Sequence, residues 1–364
     1  MKQIVSQKEK ERMDQLLDEK FVKNFLDSNL STFFKDSQKI KKITRNVYKN
    51  SRGKYSYTLV LEFVLEILFK DGSVKEKSVF CKAHSEEEKN KALYYMDILY
   101  KNGFNDGQYQ VPRPLIYLPD LRAGFYEGVI GHNLLYYIKN KEYKKIKIIV
   151  KDAARWIAKL HNFDTINFKP LEISSSRIEN VRPHPKKLWH DMERDYKKLY
   201  IEYHPLHKKA LDYEKKLLKI TKKQDKSKIV YGDFHPENII VPSHAQEGVT
   251  VIDFTDLSIG DPYRDIGTFL QQISFMPQRF SSRIKIPAKK TDQFQKIFLD
   301  EYLKQGGIVF TSLDWQRINL YRLSTALRNI AYYFYQCDPK QLIWHLIDES
   351  KIYLEKLEKK EIGL

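Results

Sequence analysis

Tyr55, Tyr57, Leu59, Leu61, Phe63, Leu65, Ile67 and Phe69 occupy every second position of the chain, with Ser56, Thr58, Glu62, Glu66 and Lys70 among their neighbours. An apolar period of two held that long predicts an antiparallel strand, and Asp71-Gly72 behind it predicts a hairpin turn. The next apolar piece, Ser78-Val79-Phe80-Cys81, ends in Lys82. Ahead of the long strand the period is helical. Leu16, Leu17, Phe21 and Phe25 recur at helical intervals, so residues 1 to about 40 are expected to form an N-terminal helical extension. Glu86, Glu87 and Glu88 open a helix that continues through Leu93, Met96 and Leu99, and Val111-Pro112-Arg113-Pro114 ends that region. Leu115–Leu118 and Ala123–Val129 read as two further strands.

Beyond residue 128 the pattern is mainly helical. Ala153–His161 reads as a buried helix. From Pro183 to Lys226, Leu188, Trp189, Met192, Tyr196 and Leu199 share one helical face. From Phe269 onward Trp315, Tyr321, Leu323, Leu327, Ile330 and Tyr333 form a core stripe, with Arg328 or Tyr332 as the candidate to face the cleft. Strand character returns only at Ile229–Tyr231, Ile239–Val241 and Val249–Ile252, around polar turns.

The chain has 364 residues, enough for two lobes of unequal size, and its 42% hydrophobic content is that of a globular protein despite 30% charged residues. Two cysteines, Cys81 and Cys337, argue against a disulfide framework and fit a reducing cytosol. Met1–Glu9 carries no apolar signal region, and no run of about 18 uncharged apolar residues exists to span a bilayer. A cytoplasmic protein without a membrane span is the expectation. The net charge of +17 raises the question of a nucleic-acid partner. Lys and Arg are interleaved with Asp and Glu, as between Asp191 and Lys223, which is the pattern of solvated helix faces and disfavours that role.

Chemistry concentrates between Lys228 and Gly267. Asp233 is followed five positions later by Asn238, and Asp253 closes the next strand pair. This is the spacing of a phosphoryl-transfer site, in which the first Asp accepts the hydroxyl proton while the Asn and the second Asp hold metal ions on the nucleotide phosphates. Asp and Asn are also ordinary turn residues, so the spacing of three such groups around apolar strands carries the reading, not any one of them.

Tyr231-Gly232-Asp233-Phe234-His235-Pro236-Glu237-Asn238, Ile252-Asp253-Phe254, Gly260-Asp261-Pro262 and Asp265-Ile266-Gly267 together resemble the aminoglycoside phosphotransferase and choline kinase superfamily. The resemblance runs over residues 45 to 335 in outline and is specific from 229 to 267. The family pattern usually opens on His where this chain has Tyr231, and it often carries Glu, Ser or Gly where this chain has Thr255. Neither departure removes a catalytic group.

The resemblance implies an α+β, two-lobed protein-kinase-like fold: a small antiparallel-sheet lobe over residues 41–128 that binds the nucleotide, and a larger, mainly helical lobe over 129–364 with the catalytic loop and a substrate subdomain. It implies ATP (or GTP) and Mg2+ as cofactors and a small-molecule hydroxyl as acceptor. Asp233 is then the catalytic base, and Asn238 and Asp253 are the metal ligands. Lys82 contacts the α- and β-phosphates, and among the three glutamates Glu88 is favoured as its partner. No glycine-rich loop precedes the long strand. Asn50–Lys54 holds that place, with Arg52 or Lys54 available to phosphates. Tyr126–Leu134 resembles the inter-lobe linker, so Glu127 and Val129 are expected beside adenine. His161 and His235 read as structural supports, and Gly260, Asp261 and Asp265 as braces of the catalytic segment.

The acceptor is less constrained. A polycationic aminoglycoside wants carboxylates, whereas the helical insertion is basic; 24 Tyr and 20 Phe leave an aromatic cage for a choline-like cation open. A sugar, nucleoside or other neutral or anionic metabolite suits the charge best. A kinase-fold scaffold that turns nothing over, or a kinase acting on a protein, are the alternatives. The sequence is silent on oligomeric state.

Overall fold

The computed structural model describes residues 5–53, 56–85, 91–164, 184–220, 228–243, 248–280, 286–336 and 340–364. They fall into two units, Met1–Gly131 with Pro242–Asp256, and His132–Val241 with Leu257–Leu364. No described helix is long and apolar enough to cross a membrane.

In the first unit, helix α1 (Gln7–Asp14) starts at a capping box in which Ser6 and Glu9 satisfy each other's backbone donors. Helix α2 (Glu19–Phe33) starts at Asp18, whose carboxylate accepts from the Phe21 amide at 2.6 Å, and buries Val22, Leu26, Leu30 and Phe33. Strands β1 (Ser37–Arg52), β2 (Tyr57–Phe69) and β3 (Val74–His84) follow, then helix α3 (Lys91–Leu99) and strands β4 (Tyr109–Gln110), β5 (Pro114–Leu118) and β6 (Ala123–Glu127). The antiparallel sheet runs β1-β2-β3-β6-β5.

The period of two in β2 is a packing fact: Tyr57, Leu59, Leu61, Phe63, Leu65 and Ile67 are all buried. Each such side chain contributes about 1.5–3 kcal/mol on leaving water. At the turn to β3, Gly72 takes φ 79° and Asp71 accepts from the Ser73 amide at 2.9 Å.

The helical extension expected over residues 1 to 40 stops at Phe33, and strand begins at Ser37. Strand β1 escapes a periodicity reading for two reasons. It lies at the sheet edge and buries only Ser37 and Ile40, and register shifts at Ser37/Lys39, Ile40/Lys42 and Val47/Lys49 break its alternation. Its lysines are what an edge strand needs to resist pairing with another chain.

The second unit opens with strand β7 (Gly131–Asn133), helix α4 (Leu134–Lys139), capped by Asn133, and helix α5 (Tyr143–His161). Helices α6 (Pro185–Asp195) and α7 (Lys197–Ile220) form the basic insertion, and strands β8 (Lys228–Val230) and β9 (Ile239–Pro242) flank the segment that carries Asp233 and Asn238. Strand β10 (Val249–Val251) belongs to the first unit, where it pairs in parallel with β4. Strand β11 (Ser258–Gly260) and helices α8 (Tyr263–Phe280), α9 (Ala288–Gly306), α10 (Ser312–Gln336) and α11 (Lys340–Lys359) complete the second unit. Leu188, Met192, Leu199 and Tyr203 pack with Phe275, Leu323, Leu327, Ile330 and Leu346 in one core, so the insertion is anchored by its apolar face. Strand β8 pairs antiparallel with β11, Val230 opposite Ser258, although three residues at 258–260 are too few for a periodicity to announce.

Candidate active site

In the second unit the segment that carries Asp233 and Asn238 leaves β8 at Tyr231 over a buried aromatic floor. Phe234 stacks on Trp156 at 6.0 Å between centroids and packs against Phe269 and Phe298, and Tyr231 meets Trp156 edge-on. Gly232 takes φ 91°, a conformation that strains any side chain. Asp265, fully buried in the first turn of α8, accepts from the Tyr231 amide at 2.8 Å and the Gly232 amide at 2.7 Å. His161 Nε2 donates to the same carboxylate at 3.0 Å, and the Tyr302 hydroxyl lies 2.9 Å from His161 Nδ1. His161 and Asp265 therefore support the backbone that carries Asp233. Asp261 is clasped by Arg317, with Nε–Oδ2 at 2.9 Å and Nη2–Oδ1 at 2.7 Å, and accepts from the Tyr263 amide at 3.0 Å. No local pattern announces Arg317.

Asp233 projects from this braced turn with 41% of its side chain exposed. His235 Nε2 stands 3.3 Å from its Oδ2, and Arg328 Nη2 stands 3.7 Å from its Oδ1. Burial works to raise its pKa. The His235 hydrogen bond and the charges of His235, Arg328 and Arg264 outweigh it and hold the carboxyl well below the ordinary carboxylate range. Asn238 is buried, and its Nδ2 donates to the Asp233 carbonyl at 3.1 Å. That bond settles the orientation of the amide and makes Oδ1 the atom available to a cation.

In the first unit Lys82 lies opposite Val60 on β2 and Gly124 on β6. Its Nζ donates to Asp253 Oδ1 at 2.7 Å and to Thr255 Oγ1 at 2.6 Å. Thr255 also donates through its hydroxyl to the Asp253 carboxylate. Asp253 has φ 64°, left-handed and uncommon for a side-chain-bearing residue, and Phe254 behind it is fully buried. A small cavity lies between Lys82, Leu93, Met96, Tyr126, Asp253 and Phe254. A Cβ at Gly124 would approach Leu93 Cβ to 3.3 Å, so glycine there gives α3 room against the sheet.

Arg52, Glu127 and Val129, also expected at the nucleotide, are held by neighbours within the same unit. Arg52 ends β1 and pairs with Asp14 at 2.8 Å while lying over the Tyr57 ring. The Tyr57 hydroxyl donates to the same Asp14, and burial with that bond pushes its pKa up to about 12. Glu127 is held between Lys77 at 3.0 Å and Arg113 at 2.9 Å. The linker is tied to β3 where the Gly128 amide donates to the Ser78 carbonyl at 2.7 Å, and Val129 follows it beside a cavity also lined by Ser78 and Tyr100. Glu88, like Glu86, Glu87 and Lys54, lies outside the described residues. Among the described residues no three His, Cys, Asp or Glu side chains gather to hold a metal ion.

The model of the phosphotransferase enzyme family (APH) matches residues 61–317. Comparison with curated protein sequences gave no match. Among solved structures, the chain is similar to an ADP-bound aminoglycoside phosphotransferase, at 16% identity and TM-score 0.52 over 92% of this chain and 97% of that one. It is also similar to an amicoumacin kinase in complex with AMP-PNP, Ca2+ and Ami, at 13% identity and TM-score 0.55 over 93% and 95%. A choline/ethanolamine kinase family protein from Mesorhizobium loti aligns over 96% of both chains, at 12% identity and TM-score 0.54. These likenesses show the fold, an α+β protein-kinase-like architecture with an antiparallel sheet in one part and mainly helices in the other. With its motif matched across most of its length, the chain belongs to the phosphotransferase enzyme family.

Proposed function

We propose that the protein transfers the γ-phosphoryl group of ATP to a hydroxyl group of a small molecule, with magnesium as the metal. The observation that carries the reading is Asp233 itself: a partly exposed carboxylate, kept ionised by His235 and Arg328, on a backbone turn fixed by Asp265. Positioning of this kind is most of what phosphoryl transfer asks of a protein.

Asp233 orients the acceptor hydroxyl and takes its proton. The hydroxyl oxygen forms the new bond to the γ-phosphorus, and the bond from that phosphorus to the β–γ bridging oxygen breaks, leaving ADP. ATP supplies the phosphoryl group, and magnesium supplies charge neutralisation on its phosphates. The donor set suits both. Asn238 Oδ1 and the Asp253 carboxylate are the oxygen ligands this chain would bring to magnesium, which characteristically takes one or two carboxylates and completes its shell with phosphate and water. Lys82, held by Asp253, is the cation for the α- and β-phosphates. Glu127 and Val129 belong to the segment assigned to adenine, and Glu88 is the partner assigned to Lys82. Arg52 would reach phosphate only by leaving Asp14. The ADP- and AMP-PNP-bound relatives support the choice of nucleotide.

Thermal melting with ATP and magnesium, run beside ATP consumption across a panel of hydroxyl acceptors, tests this. A magnesium-dependent rise in Tm with turnover that Asp233→Ala abolishes supports it. No rise at saturating nucleotide overturns it.

A further inference from the structure

Helix α10 brings a guanidinium to the catalytic carboxylate. Arg328 Nη2 lies 3.7 Å from Asp233 Oδ1, beyond hydrogen-bond range, and the side chain keeps 35% of its surface exposed. Among the described residues the Arg328 side chain makes no hydrogen bond, only this ion pair, so its donor fork is open to a ligand. Asp233 does not need it for orientation, because His235 stands closer, at 3.3 Å, and is itself mostly buried.

The same face of α10 continues through Tyr332 and Tyr335, four and seven positions on, about 10 Å along the axis. Both rings are substantially exposed, at 50% and 40%. At the far end stands Asp191, but it is already engaged by Lys187 at 2.5 Å, by the Tyr335 hydroxyl at 2.6 Å and by Arg194 at 3.7 Å. Lys187 is paired with Asp191, and Arg194 is held by Asp195 through two bonds of 2.6 Å, so the charges at this end are balanced and the free donor of the face is Arg328. Arg264 adds to the positive potential at Asp233. An ammonium group next to the reacting hydroxyl would meet like charge on this face. An anionic group would meet an unspent bidentate donor and a flat apolar wall for the carbon body.

We propose that the acceptor is a hydroxy compound bearing a carboxylate or a phosphate ester near the reacting hydroxyl, and that Arg328 is the residue that binds this anion. The proposal rests on the phosphotransferase reading of Asp233. The hydroxyl proton passes to Asp233, and the products are ADP and the phosphorylated anion.

The test uses matched acceptors on the intact chain with ATP and magnesium. One series is glucose, glucosamine, glucuronate and glucose 6-phosphate; the other is glycerol, ethanolamine, glycerate and glycerol 3-phosphate. Binding is read by calorimetry and turnover by ATP consumption. In at least one series an anionic member is expected to exceed its neutral partner at least tenfold in affinity or kcat/KM, with the amine weakest. Carboxylate against phosphate within the series distinguishes the two anions. Arg328→Gln is expected to raise the KM or Kd for that anion at least tenfold while leaving the KM for ATP unchanged, and Arg328→Lys to recover part of the loss. Preference for a neutral or cationic member, no anion binding in either series with the ATP-dependent Tm shift intact, or an unchanged preference in Arg328→Gln overturns this inference alone. Loss of the ATP shift in the unmodified protein overturns the phosphotransferase reading, and this inference with it.

Discussion

His161 donates from Nε2 to Asp265 at 3.0 Å, with 3% of the histidine side chain and none of the aspartate exposed. The same aspartate accepts the amides of Tyr231 and Gly232, so one buried carboxylate gathers three donors directly behind Asp233. Asp265→Ala leaves them unpaired in a site water does not reach, and is expected to destabilise the chain by about 3–5 kcal/mol. Chemical denaturation checks this. A loss below about 1 kcal/mol would show that the three donors find other partners.

Asp233→Ala separates binding from chemistry. Removing the base is expected to lower kcat by about 10²–10⁴-fold with nucleotide binding preserved, measured by single-turnover kinetics beside nucleotide titration. Equal losses in kcat and nucleotide affinity would assign Asp233 to the nucleotide instead.

The pH profile follows from the charges on Asp233. Its pKa in the folded chain is depressed below the value in the unfolded chain. The ionised carboxylate therefore favours the fold above the unfolded pKa, and that contribution is lost as pH falls through the folded value. For the free enzyme, the acid limb of kcat/KM is expected below the ordinary carboxylate range. In His235→Ala, which removes both the hydrogen bond and a charge, the limb moves to higher pH. A limb that stays in place would mean that another group controls it.

Lys82 and Asp253 form a pair across which both side chains keep some exposure, 23% and 43%. Such a pair adds little to stability, so Lys82→Met is expected to change Tm by no more than a few degrees. Its effect is expected on turnover, a fall in kcat/KM for ATP of about two orders of magnitude. Melting and steady-state kinetics on one preparation separate the two. A collapse of Tm would make the pair structural.

Gly267 tests the closeness of two helices. A Cβ placed there would come 2.6 Å from Tyr321 Cβ and 2.8 Å from the Ile318 carbonyl of α10, and backbone cannot step aside as a flexible side-chain end does. Gly267→Ala is expected to destabilise by about 1–3 kcal/mol through overpacking. A neutral or stabilising result, read from denaturant midpoints, would mean that α8 and α10 can separate at little cost.

What the sequence determined by itself is whatever short-range physics writes. The alternation from Tyr57 to Ile67 states which face of β2 is buried, because a strand presents side chains with a period of two regardless of its neighbours. The turn at Asp71-Gly72 and the Asp233–Asn238 spacing are likewise local, and their geometry follows from backbone requirements within a few residues. The tertiary structure decided what depends on distant chain. Strand β1 was hidden because an edge strand with a solvated, bulged backbone carries no hydrophobic period. The pairing of β8 with β11, the clasp of Asp261 by Arg317 across 56 positions and the meeting of Lys82 with Asp253 across 171 are absent from any window of the chain. Arg328 shows the limit most clearly. Its helical period marks the face it occupies, but only the packing of α10 beside the catalytic turn makes it the neighbour of Asp233, because charge acts through space and not along the sequence.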